Sequence, residues 1–267
     1  MVDAVCLYAR YVAVSFRSQM QYRASFVMQS IGQFVINGIE FLVLWALFHR
    51  FGSIGGWSLP EVAVLYGLVN TEWSLTDATS RAFDTFGTMV KSGEFDRVLL
   101  RPRSTVLQLA GQELTLRRIG RFGQGFAALV WGLSAVGIVW SPAKALLLVA
   151  AILSGWAFFY GLIMIQATMC FWTTETLEVM NAFTYGGCET ARLPMHIYGR
   201  WFRRFFAYVI PLAAGTYFPA LALLDRADPF GTPRWVYWLA PTLGFVFLAI
   251  ATRIWRFGVR RYRSTGS

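Results

Sequence analysis

Charged residues are scarce in this sequence: only 14% of its 267 residues are Asp, Glu, Lys or Arg, whereas ordinary soluble domains carry about 25%. Hydrophobic residues make up 56% of the chain, so a soluble fold would lack the polar groups needed to cover its surface. The 11 Trp and 11 Tyr residues favour the interface between membrane and water. The composition therefore predicts an all-α integral membrane protein with a single transmembrane domain over residues 1–267.

Residue patterns that carry catalysis or bind cofactors are also missing. No G-x-x-x-x-G-K-[ST] sequence is present and neither of the two lysines follows a glycine-rich loop, which excludes an ATP-binding P-loop on this chain. Cys6, Cys170 and Cys188 are too far apart in sequence to indicate a disulfide framework or a metal site. His49 and His196 fall on opposite sides of the predicted membrane. We therefore expect no catalytic residue, metal ion or cofactor on this chain.

Six long apolar runs predict six transmembrane helices, because about 20 residues cross the hydrocarbon core of a bilayer. The predicted spans cover residues 24–48, 60–80, 121–140, 143–172, 205–224 and 235–255. The fifth span is interrupted by Pro211, Gly215 and Pro219. A broken helix at membrane depth needs protein or water to satisfy its freed backbone groups. We therefore expect a broken fifth span, with a short crossing followed by a re-entrant piece near the outer face.

The basic residues predict the orientation of the chain. With six spans, both termini share one side, together with residues 81–121 and 173–204. That side carries 20 Arg and Lys residues and the other carries four. Because cytoplasmic loops of membrane proteins are enriched in basic residues, both termini are predicted to be cytoplasmic. The net charge of +10 thus indicates contact with anionic membrane lipids and not with nucleic acid.

Three segments outside the spans are predicted to be helical. Hydrophobic residues recur at helical spacing between residues 3 and 21, which predicts an amphipathic helix lying on the inner membrane surface. A second short amphipathic helix lies between spans two and three and is closed by Pro102. In the tail, four arginines between residues 253 and 263 share one helical face, and we interpret them as a lipid-binding anchor.

Four polar residues inside the predicted spans are candidates for a substrate pathway: Asn37, Glu40, Glu72 and Asp77. A charged group in hydrocarbon costs at least ~2.5–3.5 kcal/mol, so such residues usually face a cavity or a partner. For Glu72 and Asp77, two interpretations stay open. They either form a pathway wall that meets polar or cationic parts of a substrate, or join a buried network or salt bridge between helices. For Glu40 we favour the pathway, because Asn37 lies one turn earlier on the same face.

Three stretches of the chain resemble motifs of one family. Residues 91–102, KSGEFDRVLLRP, resemble the G-E-[LF]-D-R-x-L-L-R-P signature of bacterial type-2 ABC transporter permeases. Residues 210–220 are similar to the family's I-P-x-A…Y-x-P-A segment before the last span. Residues 255–267 are similar to its W-x-x-G-x-x-x-Y-x-S-T-G-S terminus. Together with the predicted six spans, the resemblance covers nearly the whole chain.

The resemblance implies a half-transporter of exporter type in the bacterial inner membrane. Two permease subunits would form the pore, the second being a related chain or another copy. A dimer of cytoplasmic ATP-binding-cassette ATPases, which would hold ATP and Mg, would power it. The helix around residues 93–100 would be the coupling helix, with charged residues making polar contacts and Phe95, Val98 and Leu99 filling a groove of the ATPase. The residues expected to contact the ATPase are Gly93, Glu94, Phe95, Asp96, Arg97, Leu99 and Arg101.

Several alternatives stay open. The helix around residues 93–100 could be an interfacial helix that contacts no partner. The substrate could be an amphipathic small molecule or drug, a lipid or a glycan precursor. An autonomous channel or secondary transporter would need no ATPase. A membrane-embedded enzyme acting on lipid would need a cluster of titratable residues at one depth, which the predicted layout does not provide.

Overall fold

The computed structural model describes residues 2–115, 118–173, 178–206, 210–229 and 231–264. These residues form helices and connecting loops, and no β-strand occurs among them, as predicted. Their α-helices are α1 (Val2–Met20), α2 (Arg23–Phe51), α3 (Leu59–Thr79), α4 (Arg81–Asp84), α5 (Phe86–Lys91), α6 (Glu94–Leu99), α7 (Thr105–Gln112), α8 (Ile119–Val136), α9 (Pro142–Thr173), α10 (Glu178–Phe183), α11 (Tyr185–Ala191), α12 (Arg200–Arg204), α13 (Leu212–Gly215), α14 (Tyr217–Leu223), α15 (Arg234–Leu239) and α16 (Pro241–Arg261).

Three of the described helices, α2, α9 and α16, are long and apolar enough to cross a membrane by length and composition. Helices α3 and α8 have 21 and 18 residues and lie at the predicted second and third spans, but they are not among these three. Helix α8 ends at Val136, four residues before the predicted boundary, because Gly137 adopts the left-handed conformation (φ 72°) that terminates many helices. The six-span layout as a whole stays a prediction.

Glycines set the close packing between α3 and α8. A Cβ atom on Gly125 of α8 would stand 2.7 Å from the Cβ of Asn70 in α3, and one on Gly132 would stand 2.8 Å from the carbonyl oxygen of Pro60. Small residues allow membrane helices to approach this closely. Because residues later in α8 contact residues earlier in α3, the two helices are antiparallel.

Helices α9 and α16 run parallel. Ser154 of α9 lies against Gly244 at the start of α16, and Phe171 lies against Gly258 near its end. The order of the contacts along each pair of helices likewise shows that α3 runs parallel to α9 and that α2 runs parallel to α8. Helices α3, α9 and α16 therefore run in one direction and α2 and α8 in the other. This arrangement brings residues 81–112 and the tail to the same end of the bundle.

The predicted fifth span is not one continuous helix. Only α13, with 4 residues, and α14, with 7 residues, lie within residues 210–224. Even a continuous helix over residues 212–223 would be only about 18 Å long, which is shorter than the roughly 30 Å of a hydrocarbon core. Pro211 precedes α13, and Thr216 separates it from α14. Residues 207–209 of the predicted span lie outside the described residues.

Residues 178–204, the described part of the segment 173–204 that we expected to be a cytoplasmic loop, enter the helix bundle instead. At its start, the Tyr185 hydroxyl donates to the Asp84 carboxylate at 3.4 Å. At its deepest point, Arg192 reaches Asn70 in the middle of α3. The chain then returns, and the ring of Phe205 lies 6.0 Å from that of Phe183. Phe205, where the predicted fifth span begins, is therefore at the same end of the bundle as α4, whereas α14 ends at the opposite end, where Lys144 donates to the Leu223 carbonyl at 3.3 Å.

Candidate functional site

The stretch of residues 91–102 folds as the end of α5, a sharp turn and α6. Gly93 makes the turn with φ 69°, a left-handed conformation that favours glycine. Glu94 and Asp96 lie in the first turn of α6, where negative side chains complement the helix dipole. The helix ends at Leu99, before Pro102, as predicted.

Phe95 fixes α6 to the rest of the bundle. Its fully buried ring lies 4.9 Å from Phe86, 5.5 Å from Phe171 of α9 and 5.1 Å from Tyr262 at the end of α16. Val98 is also buried. Phe95 and Val98, which we expected in a groove of the ATPase, therefore face the interior of this chain, because α6 must bury its apolar side to stay attached.

The opposite side of α6 is exposed and mainly charged. Glu94, Arg97, Leu99 and Arg101 are exposed, and the neighbouring Leu100 side chain is 85% exposed. Gln108 of α7 was not predicted as a site residue, yet its side-chain amide donates to the carbonyl groups of Val98 (3.2 Å) and Arg103 (3.1 Å). These two hydrogen bonds hold the chain that leaves α6.

The C-terminal tail contacts α6 directly. The Ser264 hydroxyl donates to the Asp96 carboxylate at 2.7 Å, although the two residues are 168 positions apart. Trp255 of α16 donates its indole N–H to the Thr105 hydroxyl at the start of α7 at 3.0 Å. Burial and the nearby Asp96 carboxylate raise the pKa of the Tyr262 phenol, so its ring stays neutral against α6. Two of the three family-like stretches thus meet at one place.

A cleft of about 380 Å³ separates α1 from α6 and α7. Helix α1 packs against α7, with the ring of Tyr11 close to Gly111. The cleft is lined by Tyr11, Glu94, Arg97, Val98, Arg101, Gln108 and Gln112. Three of these side chains carry charge, so a partner with complementary charge can contact α1 and α6 together.

A second polar cluster centres on Arg192, at the deepest point of the segment that enters the bundle. Its guanidinium is buried and donates to Glu40 (3.1 Å), to Glu189 (2.6 Å) and to the amide oxygen of Asn70 (3.0 Å). Arg121 donates to the same Asn70 oxygen at 3.2 Å. Because Arg192 and Arg121 were expected to be cytoplasmic charges, this cluster was not predicted from the sequence.

Asn37 has a structural role in this region. Its buried side chain donates to the Gln33 carbonyl at 2.7 Å, within α2. Its own carbonyl accepts a hydrogen bond from the Tyr66 hydroxyl at 3.0 Å. The Arg192 guanidinium lies over the Tyr66 ring, 5.5 Å from the ring centre. Asn37 thus connects α2 to α3 beside Glu40.

The position of Glu40 along α2 indicates a depth near the middle of the bundle. It lies ten residues, or about 15 Å of helix, from both Ser30 and Arg50. The Glu40 side chain is 43% exposed and that of Glu189 is 62% exposed in the single chain. Carboxylates at this depth are costly when they face lipid. This surface therefore needs water or another protein to cover it.

Glu72 and Asp77 of α3 differ in their surroundings. Asp77 forms an ion pair with Arg118, with 2.8 Å between Oδ2 and Nε. Glu72 is completely buried against Gly155 of α9, and neither of its carboxylate oxygens has a hydrogen-bond partner among the described residues. Gly215 of the broken fifth segment also packs against Gly155. Asp77 therefore fits the salt-bridge interpretation, whereas Glu72 does not.

Comparison with known proteins identifies the family. A family model described as "ABC-2 family transporter protein" matches residues 34–266, which is most of the chain. No curated protein and no solved structure matches the sequence. Within the described residues, no group of three or more His, Cys, Asp or Glu side chains is arranged to hold a metal ion. The long match, together with the apolar helices, shows that this chain belongs to the ABC-2 family of transporter proteins and is a membrane-embedded permease.

Proposed function

We propose that this chain is one permease subunit of an ATP-driven exporter and that a separate ATP-binding-cassette ATPase moves it through α6. The observation that carries the proposal is the two-sided character of α6. Its buried side, centred on Phe95, packs against α9 and α16, while its other side exposes charge. A helix that transmits force needs both an exposed contact surface and a rigid attachment to the spans.

The ATPase contact comprises the exposed face of α6 and the cleft beside α1. Glu94, Arg97 and Arg101 provide charges of both signs, and Leu99 adds an apolar contact. Gly93 sets the direction of α6, and Asp96 contributes from within this chain by binding Ser264. ATP and Mg bind to the ATPase, since this sequence has no P-loop.

A second permease subunit, either another copy or a related chain, covers the surface that carries Glu40 and Glu189. Both carboxylates lie near the middle of the bundle and are exposed in the single chain, where contact with lipid would be costly. Pairing places them at the subunit interface or along a water-filled pathway between the subunits. Arg192 then holds both carboxylates in place.

The proposed substrates are amphipathic molecules such as drugs, lipids or glycan precursors. Glu40 and Asn37 would lie beside the pathway. Glu72 is a candidate pathway carboxyl that becomes accessible when Gly215 moves away from Gly155. In this proposal, α1, α6 and both termini face the cytoplasm at the bacterial inner membrane, where α1 and the basic tail also contact membrane lipids.

A pair of matched charge reversals tests the proposal. Arg97→Glu alters the exposed face of α6, whereas Arg234→Glu makes the same change on an exposed arginine at the opposite end of the bundle. We expect Arg97→Glu to lose copurification with the ATPase and ATP-dependent transport, and Arg234→Glu to keep both. Equal copurification and transport in both variants would contradict a contact at α6. Transport by this chain alone, without ATP, would instead favour an autonomous transporter.

A further inference from the structure

We propose that Tyr262 and Ser264, here called the tail clamp, position the coupling helix α6 and determine how much of the ATPase's movement reaches the membrane spans. The inference rests on the proposed function, because α6 has this task only if an ATPase binds it. It gives the tail a second role, in addition to the lipid binding that its basic residues indicate.

The two clamp residues hold two consecutive residues of α6 by different contacts. The Tyr262 ring stands edge-on to the Phe95 ring, with 5.1 Å between centroids and 88° between planes. Ser264 donates its hydroxyl to the Asp96 carboxylate at 2.7 Å. Phe95 points into the bundle, whereas Asp96 is half-buried at its edge. The clamp therefore restrains α6 on its buried side and at its border.

Helix α6 needs such restraint because it is short. It has 6 residues, far below the roughly 12–15 residues at which an isolated helix becomes even marginally stable in water. Its orientation therefore depends on what it packs against. An aromatic edge-to-face contact and a hydrogen bond to a carboxylate are both directional, so they fix the angle of α6 as well as its attachment.

The clamp also connects α6 to two long helices. Tyr262 directly follows α16, and its ring lies 5.7 Å from Phe171 of α9. Trp255, about two turns earlier in α16, packs against Phe95 and donates to Thr105. Helices α9 and α16 are in turn locked together at Gly244 and Gly258. A push on α6 therefore passes first into the α9–α16 pair.

The lipid-anchor interpretation of the tail is compatible with this arrangement. The arginines at the end of α16 are exposed, whereas Tyr262 is half-buried against α6 and α9. The two groups of side chains point to different surroundings. Substitutions in the clamp should therefore leave membrane attachment unchanged.

The test measures transport per ATP hydrolysed by the complete complex in proteoliposomes. Four variants are compared with wild type: Tyr262→Ala, Ser264→Ala, the conservative Tyr262→Phe, and Phe257→Ala as a matched control. Phe257 is an exposed aromatic residue of α16 whose ring contacts are with Trp172 and Arg261, not with α6. Ser264 is exposed, so its substitution does not threaten folding.

We expect Tyr262→Ala and Ser264→Ala to lower the ratio of transport to ATP hydrolysis by about two- to tenfold, the size expected for one lost hydrogen bond or ring contact. Tyr262→Phe and Phe257→Ala should keep the wild-type ratio, and all four should copurify with the ATPase. Suppose that the wild-type complex couples transport to ATP hydrolysis, and that Tyr262→Ala and Ser264→Ala both keep its ratio of transport to hydrolysis. This result would overturn the clamp but not the proposed function. A wild-type chain that neither binds an ATPase nor needs ATP would overturn the proposed function and the clamp with it.

Discussion

At the residue scale, Arg192 links three segments that are far apart in the sequence. It joins Glu40 of α2, Asn70 of α3 and its own neighbour Glu189. A buried guanidinium is tolerated when its charge is balanced, and here two carboxylates and an amide oxygen accept from its two terminal nitrogens, while Nε has no hydrogen-bond partner among the described residues. Charge pairing as well as apolar burial therefore stabilises residues 178–206 inside the bundle.

Glu72 and Asp77 allow the two interpretations of polar residues in α3 to be separated. We expect Glu72→Gln to change the relative transport of cationic and neutral substrates, because it removes an unpaired buried acid. We expect Asp77→Asn to leave that preference unchanged and to lower stability, because it breaks the ion pair with Arg118. Transport assays with both substrate classes and thermal unfolding in detergent provide the two readouts. A Glu72→Gln variant with unchanged preference would make Glu72 a purely structural residue.

The candidate site shows which residues can be found from the sequence. Glu40 and Glu72 were identified because a charge inside a long apolar run stands out. Arg192, Gln108 and Ser264 were not, because arginine, glutamine and serine are ordinary in segments predicted to be loops. Each of them has a partner between 10 and 168 positions away, which no local pattern records.

At the element scale, helix boundaries followed the sequence where an apolar run was long. Helices α2, α3 and α9 match the predicted spans to within a few residues. The fifth segment was predicted to be broken from its prolines, and it is divided into two short helices. Residues 178–204 were not predicted to enter the bundle, because their helices are short and their hydrophobic residues are mixed with Arg and Glu.

Attachment of α6 to the bundle is expected to depend on Phe95. Phe95→Ala should lower the free energy of unfolding by about 3–5 kcal/mol, since it removes a fully buried aromatic ring. Leu100→Ala is the control: the side chain is 85% exposed, so the change should stay within about 0.5 kcal/mol. Reversible unfolding of the purified permease measures both. Similar values for the two variants would show that α6 is not anchored by Phe95.

At the scale of the whole molecule, the two ends of the bundle are held by different ion pairs. One end carries Lys144 with Asp225 (2.6 Å) and Arg226 with Glu61 (2.7 Å). The opposite end carries α6, the tail and the Asp77–Arg118 pair. In the predicted orientation, the first end is external and the second is cytoplasmic.

Cys6 offers a direct test of that sidedness. Among the three cysteines, Cys6 on α1 is exposed, whereas Cys170 and Cys188 are buried. A membrane-impermeant maleimide should label Cys6 in inside-out vesicles and not in intact cells with a permeable outer layer. A Cys6→Ser variant should remain unlabelled in both. Labelling of Cys6 only from the outside would show that the orientation is the opposite of the predicted one. In that orientation α6 could not contact a cytoplasmic ATPase.

The central claim is that a separate ATPase binds the exposed face of α6, and site-specific photo-crosslinking in native membranes tests it most directly. A photoreactive amino acid placed at Leu99 should form an adduct with an ATP-binding-cassette ATPase, whereas the same group at the exposed Phe257 should not. An ATPase adduct at Leu99 alone is the predicted result. The account would be contradicted if no adduct formed at Leu99 in membranes where the chain still carries out ATP-dependent transport.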